Sequence, residues 1–278
     1  MRSAVTISLI KEARGGPFIY WDDLPGSIRK AASLGFDAVE IFPPAGDAIP
    51  ADQILPLLKE SKLKVSAIGT GGGWVLHKLT LTNADADIRR RATEFIRSII
   101  DAAGALGAPA IVGSMQGRWC EAVGQDLAMH YLQSALNDLG EHAKKYNVPL
   151  IYEPLNRYET NIINTLGQGA ALLSNLKTTN VKLLADLFHL NIEEANIAES
   201  IRHAAAAIGH VHLADSNRRP ATLGHTDFAS IAQALAEISY GGYVSAECLP
   251  YPDSDAAAES TIKAFNRFFA PLTPIGPH

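Results

Sequence analysis

Short apolar or β-branched runs alternate eight times with longer segments of helical period along this chain of 278 residues. Such alternation is typical of strand–helix units repeated around a parallel sheet. The predicted strands span residues 4–9, 38–41, 65–69, 110–113, 150–152, 181–185, 210–213 and 243–246. The predicted helices span residues 24–34, 51–62, 85–106, 125–146, 166–176, 198–207, 228–238 and 256–269.

Eight units with no long Gly/Ser/Pro linker between them predict a single closed (β/α)8 barrel, the TIM barrel, over residues 1–270. The length agrees, because such barrels contain about 250 residues. An open, doubly wound sheet is the alternative. Residues 271–278 carry no such pattern and are predicted to form a loose C-terminal tail. Gly71, Gly72 and Gly73 lack the Lys-Ser/Thr pair of a phosphate-binding loop, so a tight loop is expected after the third strand.

Charge and cysteine content exclude several classes of protein. The formal net charge of −5 gives no general attraction for a phosphodiester backbone, so we expect no nucleic-acid partner. The two cysteines, Cys120 and Cys248, cannot build the multi-bridge framework of a small secreted fold. No run approaches the ~20 apolar residues of a membrane span, and the first apolar stretch is too short for a secretory signal. A cytoplasmic protein with no membrane partner is therefore predicted.

Four consecutive predicted strands, the fifth to the eighth, each end in a residue that can bind a metal ion. Because active sites of TIM barrels lie at the carboxyl ends of the strands, these residues are expected to converge. They are Glu153, Asp186, His212 and Glu247. Three carboxylates and one imidazole predict one divalent cation, with Mn²⁺ preferred and Co²⁺, Mg²⁺ or Zn²⁺ as alternatives.

Each of these residues alone would be interpreted as a helix cap, a loop residue or a core residue. Their coincidence on four adjacent strands is what predicts the metal site. His210 shares the strand face of His212 but lies below the strand end, since side chains two residues apart point the same way. His210 is therefore interpreted as a core residue or as a contact to the ligands.

Five segments of the chain carry a resemblance to a known family. They read EPLNRYETNIINT (153–165), ADLFHLNIEE (185–194), HVHLADSNRRP (210–220), GHTDF (224–228) and AEC (246–248). These segments resemble the xylose-isomerase-like TIM-barrel sugar isomerases and epimerases, in particular the D-tagatose and D-psicose (ketose) 3-epimerases. The first half of the chain resembles this family only in the order of its strands and helices.

The resemblance implies a role for each residue of the expected site. The metal ligands would be Glu153, Asp186, His212 and Glu247. Glu153 and Glu247 would also be the catalytic acid/base pair, with Glu159 contacting either the substrate or the ligand Glu153. His189 and Arg218 would bind carbonyl or hydroxyl oxygens of the substrate. The family also implies a homo-oligomer, either a dimer or a tetramer.

A metal-dependent ketose 3-epimerase acting on a free, unphosphorylated sugar is the hypothesis that follows. Removing a proton beside a carbonyl yields an enediolate, whose charge needs a Lewis acid and hydrogen-bond donors. Inverting the carbon further needs carboxyl groups on both faces of the substrate, which the fifth and eighth strands can supply.

Several alternatives remain open at this point. An isomerase like hydroxypyruvate isomerase and a lyase like inosose dehydratase use the same proton abstraction. A phosphodiesterase like endonuclease IV shares the barrel but needs a His-rich, multi-zinc ligand set and a basic groove. A non-catalytic protein that binds a sugar or a metal would not need two glutamates facing each other.

Overall fold

A closed parallel barrel forms the centre of the computed structural model, which describes residues 1–272. Its strands are β1 (Arg2–Ser8), β2 (Tyr20–Trp21), β3 (Ala38–Phe42), β4 (Lys64–Gly69), β5 (Ala110–Val112), β6 (Leu150–Tyr152), β7 (Val181–Asp186), β8 (Ile208–Leu213) and β9 (Tyr243–Ala246). Strands β1 and β3 to β9 pair in chain order, and β9 returns to pair with β1. The two-residue β2 pairs with the carboxyl end of β1. The predicted barrel is confirmed, and the open sheet is excluded.

Ten α-helices surround this barrel within residues 1–272. They are α1 (Leu24–Leu34), α2 (Ala51–Ser61), α3 (Gly72–His77), α4 (Ala86–Ala105), α5 (Gln125–Lys144), α6 (Leu166–Ser174), α7 (Leu187–Glu193), α8 (Ile197–Ala204), α9 (Phe228–Glu237) and α10 (Ser254–Phe268). Eight of them lie where helices were predicted. None of the helices in this part of the chain combines the length and the apolar composition that a bilayer-spanning segment needs.

Two short helices, α3 and α7, were not predicted. The expectation of a loop at Gly71–Gly73 is wrong, because α3 begins at Gly72. A Cβ at Gly72 would lie 2.7 Å from the carbonyl oxygen of Pro43, so glycine lets this helix approach the backbone after β3 closely. The predicted tail over residues 271–278 lies, from residue 273 onward, outside the described residues.

Local chemistry sets the helix ends. The Asp85 carboxylate caps α4 by accepting a 2.8 Å hydrogen bond from the Asp87 amide. Gly107 follows this helix in the left-handed region, at φ 68°, which a glycine adopts without steric cost. At α6, Thr165 and Gln168 form a reciprocal capping box. These ends fix where each following strand begins.

The apolar core has an outer and an inner part. The outer part fills the space between barrel and helices, and the inner part is a small cluster inside the barrel. The inner cluster consists of Ala67, Ile111, Ile151 and Leu184. Because side chains alternate along a strand, the residue two positions after each of these also points inward. Two of those following residues are Glu153 and Asp186, so the inner cluster forms the floor beneath the predicted site.

Truncating this floor tests the inner packing. Ile151 is fully buried, and the Ile151→Ala variant leaves a cavity in a part of the barrel with little room to collapse. We expect the free energy of unfolding to fall by about 2–5 kcal/mol in chemical denaturation. Leu127→Ala is the matched control on α5, because Leu127 is 44% exposed and its truncation should cost less than about 0.5 kcal/mol. Equal losses in both variants would contradict this description of the core.

Candidate active site and metal centre

The four predicted metal ligands meet at the carboxyl end of the barrel. Glu153 directly follows β6, Asp186 ends β7, His212 lies at the end of β8, and Glu247 directly follows β9. All four are buried, and one donor atom from each lies within 4.8 Å of the others. The His212 Nδ1 atom is 3.3 Å from Asp186 Oδ2, 3.3 Å from Glu247 Oε2 and 3.6 Å from Glu153 Oε1.

This donor set fits a divalent cation. Two oxygens bound to one cation at about 2.0–2.6 Å lie no more than about 5 Å apart, and the four donor atoms satisfy that limit. Three buried carboxylates at one point repel one another unless positive charge is placed among them. In addition, the buried Glu153 Oε1 atom has no hydrogen-bond partner, which is unusual unless an ion or water completes it.

Burial and the neighbouring charges shift the pKa values of this cluster in different directions. Burial raises the pKa of Glu153 to about 8, and the charges of Glu247 and Asp186 add to this effect. Although burial also opposes ionisation of Asp186, the Arg218 guanidinium holds its pKa well below the usual range. The carboxylates of Glu247 and Glu40 raise the pKa of His212 despite its burial. Glu153 and His212 therefore bind protons more tightly in this site than in water, and Asp186 binds them less tightly.

Asp186 is oriented by the helix that follows it. Its Oδ1 atom accepts hydrogen bonds from the backbone amides of Phe188, at 2.8 Å, and His189, at 3.3 Å, at the amino end of α7. The Oδ2 atom is thereby turned toward His212. The unpredicted helix α7 thus fixes the geometry of a predicted ligand.

Arg218, which the resemblance implied as a contact to substrate oxygens, lies beside two of the predicted ligands. Its guanidinium donates to both oxygens of Asp186, at 2.8 and 2.7 Å, and also to Glu247. Arg218 has a left-handed backbone conformation with φ 61°, which is uncommon for residues other than glycine. Hydrogen bonds to the carbonyl of Asp215 and from the amide of Leu249, both 2.8 Å, hold this conformation. The loop thereby aims the guanidinium into the site.

His189 also points into the site, with its Nε2 atom 3.9 Å from Glu153 Oε1 and 3.8 Å from Asp186 Oδ2. Burial lowers the pKa of His189 to about 4, so the ring is neutral at pH 7. Its other nitrogen, Nδ1, is 2.7 Å from Asn156 Nδ2, which also donates to Glu159 at 3.2 Å. Glu159 therefore lies beside the site, and Asn156 is a residue that the sequence did not single out.

Glu40 is the second residue that was missed. It lies on β3 with no exposed surface, and its two oxygens contact His210 Nε2 at 2.7 Å and His212 Nε2 at 2.8 Å. His210 is thus both buried and a neighbour of a ligand, which fits each interpretation given to it. The available signal was a single carboxylate within the buried apolar strand AVEIF, since a buried charge requires a partner.

A cavity of about 460 Å³ opens above the ligand cluster. Part of its wall is apolar and comes from the segment after β1, the end of β3 and helix α3. The main contributors are Ile10, Phe18, Phe42, Trp74 and Val75. Among the described lining residues, Arg218 is the one lysine or arginine. The cavity therefore combines the charged groups of the ligand cluster with an apolar wall.

The fold and this site define a member of the xylose isomerase-like TIM barrel family, whose model matches residues 28–268; the chain belongs to that family. Its relatives include sugar epimerases. D-psicose 3-epimerase of Agrobacterium fabrum is 30% identical over 244 residues, covering 86% of this chain and 83% of that protein. L-ribulose 3-epimerase of Mesorhizobium japonicum is 35% identical over 170 residues, covering 60% and 57% of the two chains. The predicted family resemblance is confirmed, and with it the prediction of an enzyme.

Solved structures show the same fold. D-psicose 3-epimerase with D-tagatose, from Clostridium cellulolyticum H10, superposes with a TM-score of 0.81 at 21% identity, covering 96% of this chain and 99% of that one.

Proton competition gives a test of the metal centre. A cation competes with protons for Glu153, so the affinity for Mn²⁺ should rise with pH up to the Glu153 pKa of about 8. Because this pKa is raised in the folded chain, its contribution to stability without metal is lost as the pH rises through about 8. Titration calorimetry in buffers of different ionisation enthalpy measures the protons released.

The Glu153→Gln variant should release about one proton fewer per bound Mn²⁺ than the wild type, because the amide carries no acidic proton. Glu121→Gln, an exposed position in the loop after β5, is the matched control and should leave the proton count unchanged. Binding of Mn²⁺ with no pH dependence would contradict this description of the site.

Proposed function

We propose that this chain is a divalent-metal-dependent ketose 3-epimerase that acts on a free, unphosphorylated sugar. The observation that carries the proposal is the pair of buried glutamates, Glu153 and Glu247, at the carboxyl end of the barrel. Two hydrogen-bond donors, His189 and Arg218, line the same cavity. Relatives named D-psicose 3-epimerase and L-ribulose 3-epimerase support the class of substrate. Mn²⁺ is the preferred ion, because three carboxylates and one imidazole form a hard donor set.

The ion would be held by Glu153, Asp186, His212 and Glu247. When bound, it supplies Lewis-acid stabilisation of the negative charge that develops on the sugar oxygens. The protein adds its own donors to that task. The neutral His189 ring and the Arg218 guanidinium lie where a substrate carbonyl above the cluster can accept hydrogen bonds from them.

The two glutamates move the protons. Epimerisation at C3 removes a proton from the carbon beside the carbonyl and returns one to the opposite face. Glu153 follows β6 and Glu247 follows β9, with two strands between them around the barrel. One carboxylate therefore takes the proton on one face of the sugar, and the other carboxyl group donates on the opposite face.

The charges of the cavity support an unphosphorylated substrate. A phosphate group is usually bound by arginine, lysine or a row of backbone amides. Arg218, the one cationic residue among the described lining residues, is already engaged by Asp186 and Glu247. A phosphate against the apolar wall of Ile10, Phe18 and Phe42 would lose its hydration without a compensating partner.

The alternatives differ in what the two glutamates do. An isomerase like hydroxypyruvate isomerase needs one base that moves a proton between neighbouring carbons, and a lyase like inosose dehydratase expels water. An endonuclease IV-like phosphodiesterase is disfavoured, because the formal net charge is −5 and the described lining of the cavity has one arginine and no lysine to form a basic groove. A homo-oligomer, dimer or tetramer, and a cytoplasmic location stay predictions that light scattering and cell fractionation would test.

The separate replacement of each glutamate by glutamine tests the two-base mechanism. With Mn²⁺ present, Glu153→Gln and Glu247→Gln should each lower the rate of inversion by about 10²–10⁴-fold, because one carboxylate cannot serve both faces. The remaining carboxylate can still exchange the proton on its own face. In deuterated water, each variant should therefore incorporate deuterium at C3 of one epimer without converting it into the other. The measurements are NMR of the label and chromatography of the ketoses.

The rival mechanisms give different outcomes in the same assay. Exchange at C1, with one variant inactive and the other still forming product, indicates a one-base isomerase. Glu121→Gln serves again as the matched control and should retain wild-type inversion. Inversion at near wild-type rate by either metal-loaded glutamine variant would rule out the two-carboxylate mechanism.

A further inference from the structure

His212 turns its Nδ1 atom toward the ligand cluster. Its Nε2 atom lies 2.8 Å from Glu40 Oε1, and a carboxylate only accepts hydrogen bonds, so Nε2 must carry the hydrogen. In the neutral ring, Nδ1 is then the nitrogen with the free lone pair. That atom faces Asp186 Oδ2 and Glu247 Oε2, both at 3.3 Å. Glu40 thus leaves His212 ready to act as a ligand.

His189 presents an N–H group to the site instead of a lone pair, because Asn156 fixes its tautomer. The Asn156 Oδ1 atom accepts a 3.0 Å hydrogen bond from the Tyr158 amide, which fixes the orientation of the side-chain amide. The Nδ2 group therefore points to His189 Nδ1, at 2.7 Å. An NH₂ group only donates, so Nδ1 accepts and the ring hydrogen lies on Nε2. That N–H faces the site, toward Glu153 and Asp186.

We propose that Glu40 and Asn156 are positioning residues that hold His212 and His189 in the same tautomer but with opposite ring atoms facing the site. One histidine thereby offers a lone pair to the cation, and the other offers an N–H to a sugar oxygen. This inference rests on the proposed function for the roles of the two rings. The tautomers themselves rest only on the hydrogen bonds of the described residues.

Burial makes this arrangement hard to replace. Glu40 and His212 have no exposed surface, His189 is 3% exposed and Asn156 is 2% exposed. Bulk water therefore cannot readily replace a hydrogen-bond partner that a substitution removes. The second oxygen of Glu40 is taken by His210 Nε2 at 2.7 Å, so both of its oxygens are used. A glutamine at position 40 has one acceptor for two N–H groups. It must present its NH₂ group to one of the two histidines.

Glu40→Gln should therefore weaken metal binding rather than remove a catalytic group. Loss of the partner that orients a ligating histidine typically lowers metal affinity by about 10–100-fold. We expect a loss of that size for Mn²⁺, measured by titration calorimetry. Glu40→Asp keeps a carboxylate that only accepts, so the tautomer of His212 should survive in it even where the glutamine variant folds poorly.

Asn156→Asp should lower the rate of epimerisation and leave metal affinity unchanged, in contrast to Glu40→Gln. An aspartate at this position accepts from His189 Nδ1, so it draws the ring hydrogen to that atom and away from the site. Without the N–H donor, kcat for epimerisation should fall by at least about tenfold, since removing one such donor costs about 10²–10³-fold in other enzymes. The affinity for Mn²⁺ should not fall, because no ligand or ligand partner has changed.

Nitrogen NMR observes the tautomers without any reaction. The chain has 9 histidines, and ¹⁵N-histidine labelling of the protein loaded with diamagnetic Zn²⁺ distinguishes protonated from unprotonated ring nitrogens. In the wild type, Nε2 should be protonated on both His189 and His212, with Nδ1 of each unprotonated. In Asn156→Asp, the His189 Nδ1 signal should move to the protonated position. Ser66→Ala, a buried control on β4 whose hydroxyl bonds the Val39 carbonyl, should change neither ring.

The outcomes separate this inference from the proposed function. The expected nitrogen signals without turnover of any ketose would support the tautomers and reject the epimerase. Epimerisation by a wild type whose His189 carries its proton on Nδ1 would overturn the inference and leave the epimerase intact. A Glu40→Gln variant whose His212 carries its hydrogen on Nδ1, yet which binds Mn²⁺ as tightly as the wild type, would also overturn it. Two Mn²⁺ ions per chain, one of them between Glu40, His210 and His212, would overturn it as well.

Discussion

Three carboxylates buried at one point are the constraint on which this structure depends. Glu153, Asp186 and Glu247 repel one another in a region from which most water is excluded, and the cost is offset by positive charge placed among them or by a proton on Glu153. Arg218 provides part of that charge through Asp186 and Glu247. The left-handed loop that carries Arg218 is therefore retained for its electrostatic effect, although its backbone conformation is unfavourable. The remaining imbalance explains why the donor set fits a divalent cation.

Barrel closure and the electrostatics of the site depend on each other. Glu40 and His212 are 172 residues apart in the chain and lie on β3 and β8. Their side chains meet only because both strands direct alternate residues into the same closed interior. An open sheet would leave Glu40 without its two histidines, and a buried carboxylate with no partner is strongly destabilising. The inner polar cluster thus favours the closed form beyond what the apolar floor contributes.

The sequence predicted the strand ends well and the contacts across the barrel poorly. Periodicity and the rule that barrel sites lie at strand ends were sufficient for the four expected ligands, and the resemblance added His189 and Arg218. Glu40 escaped because periodicity gives the face of a strand but not the residue that it meets on a distant strand. Asn156 escaped because an asparagine in a loop is ordinarily interpreted as a turn residue. The helix α7 was not predicted, because Asp186, the residue that caps it, had already been interpreted as a metal ligand.

Polar and apolar residues of the cavity come from different parts of the fold. The predicted metal ligands lie at strand ends or directly after them, where the barrel fixes their positions. The partners of the two histidines, Glu40 and Asn156, are buried with them. The apolar wall comes instead from the segment after β1, the end of β3 and helix α3, whose side chains make contact by shape rather than by hydrogen bonds. Apolar contacts discriminate weakly between substrates that differ by one hydroxyl, whereas misplaced donors at a reacting carbon cost orders of magnitude in rate. For the proposed epimerase, the barrel would therefore set the proton chemistry, and the apolar wall would contribute to the choice of sugar without changing that chemistry.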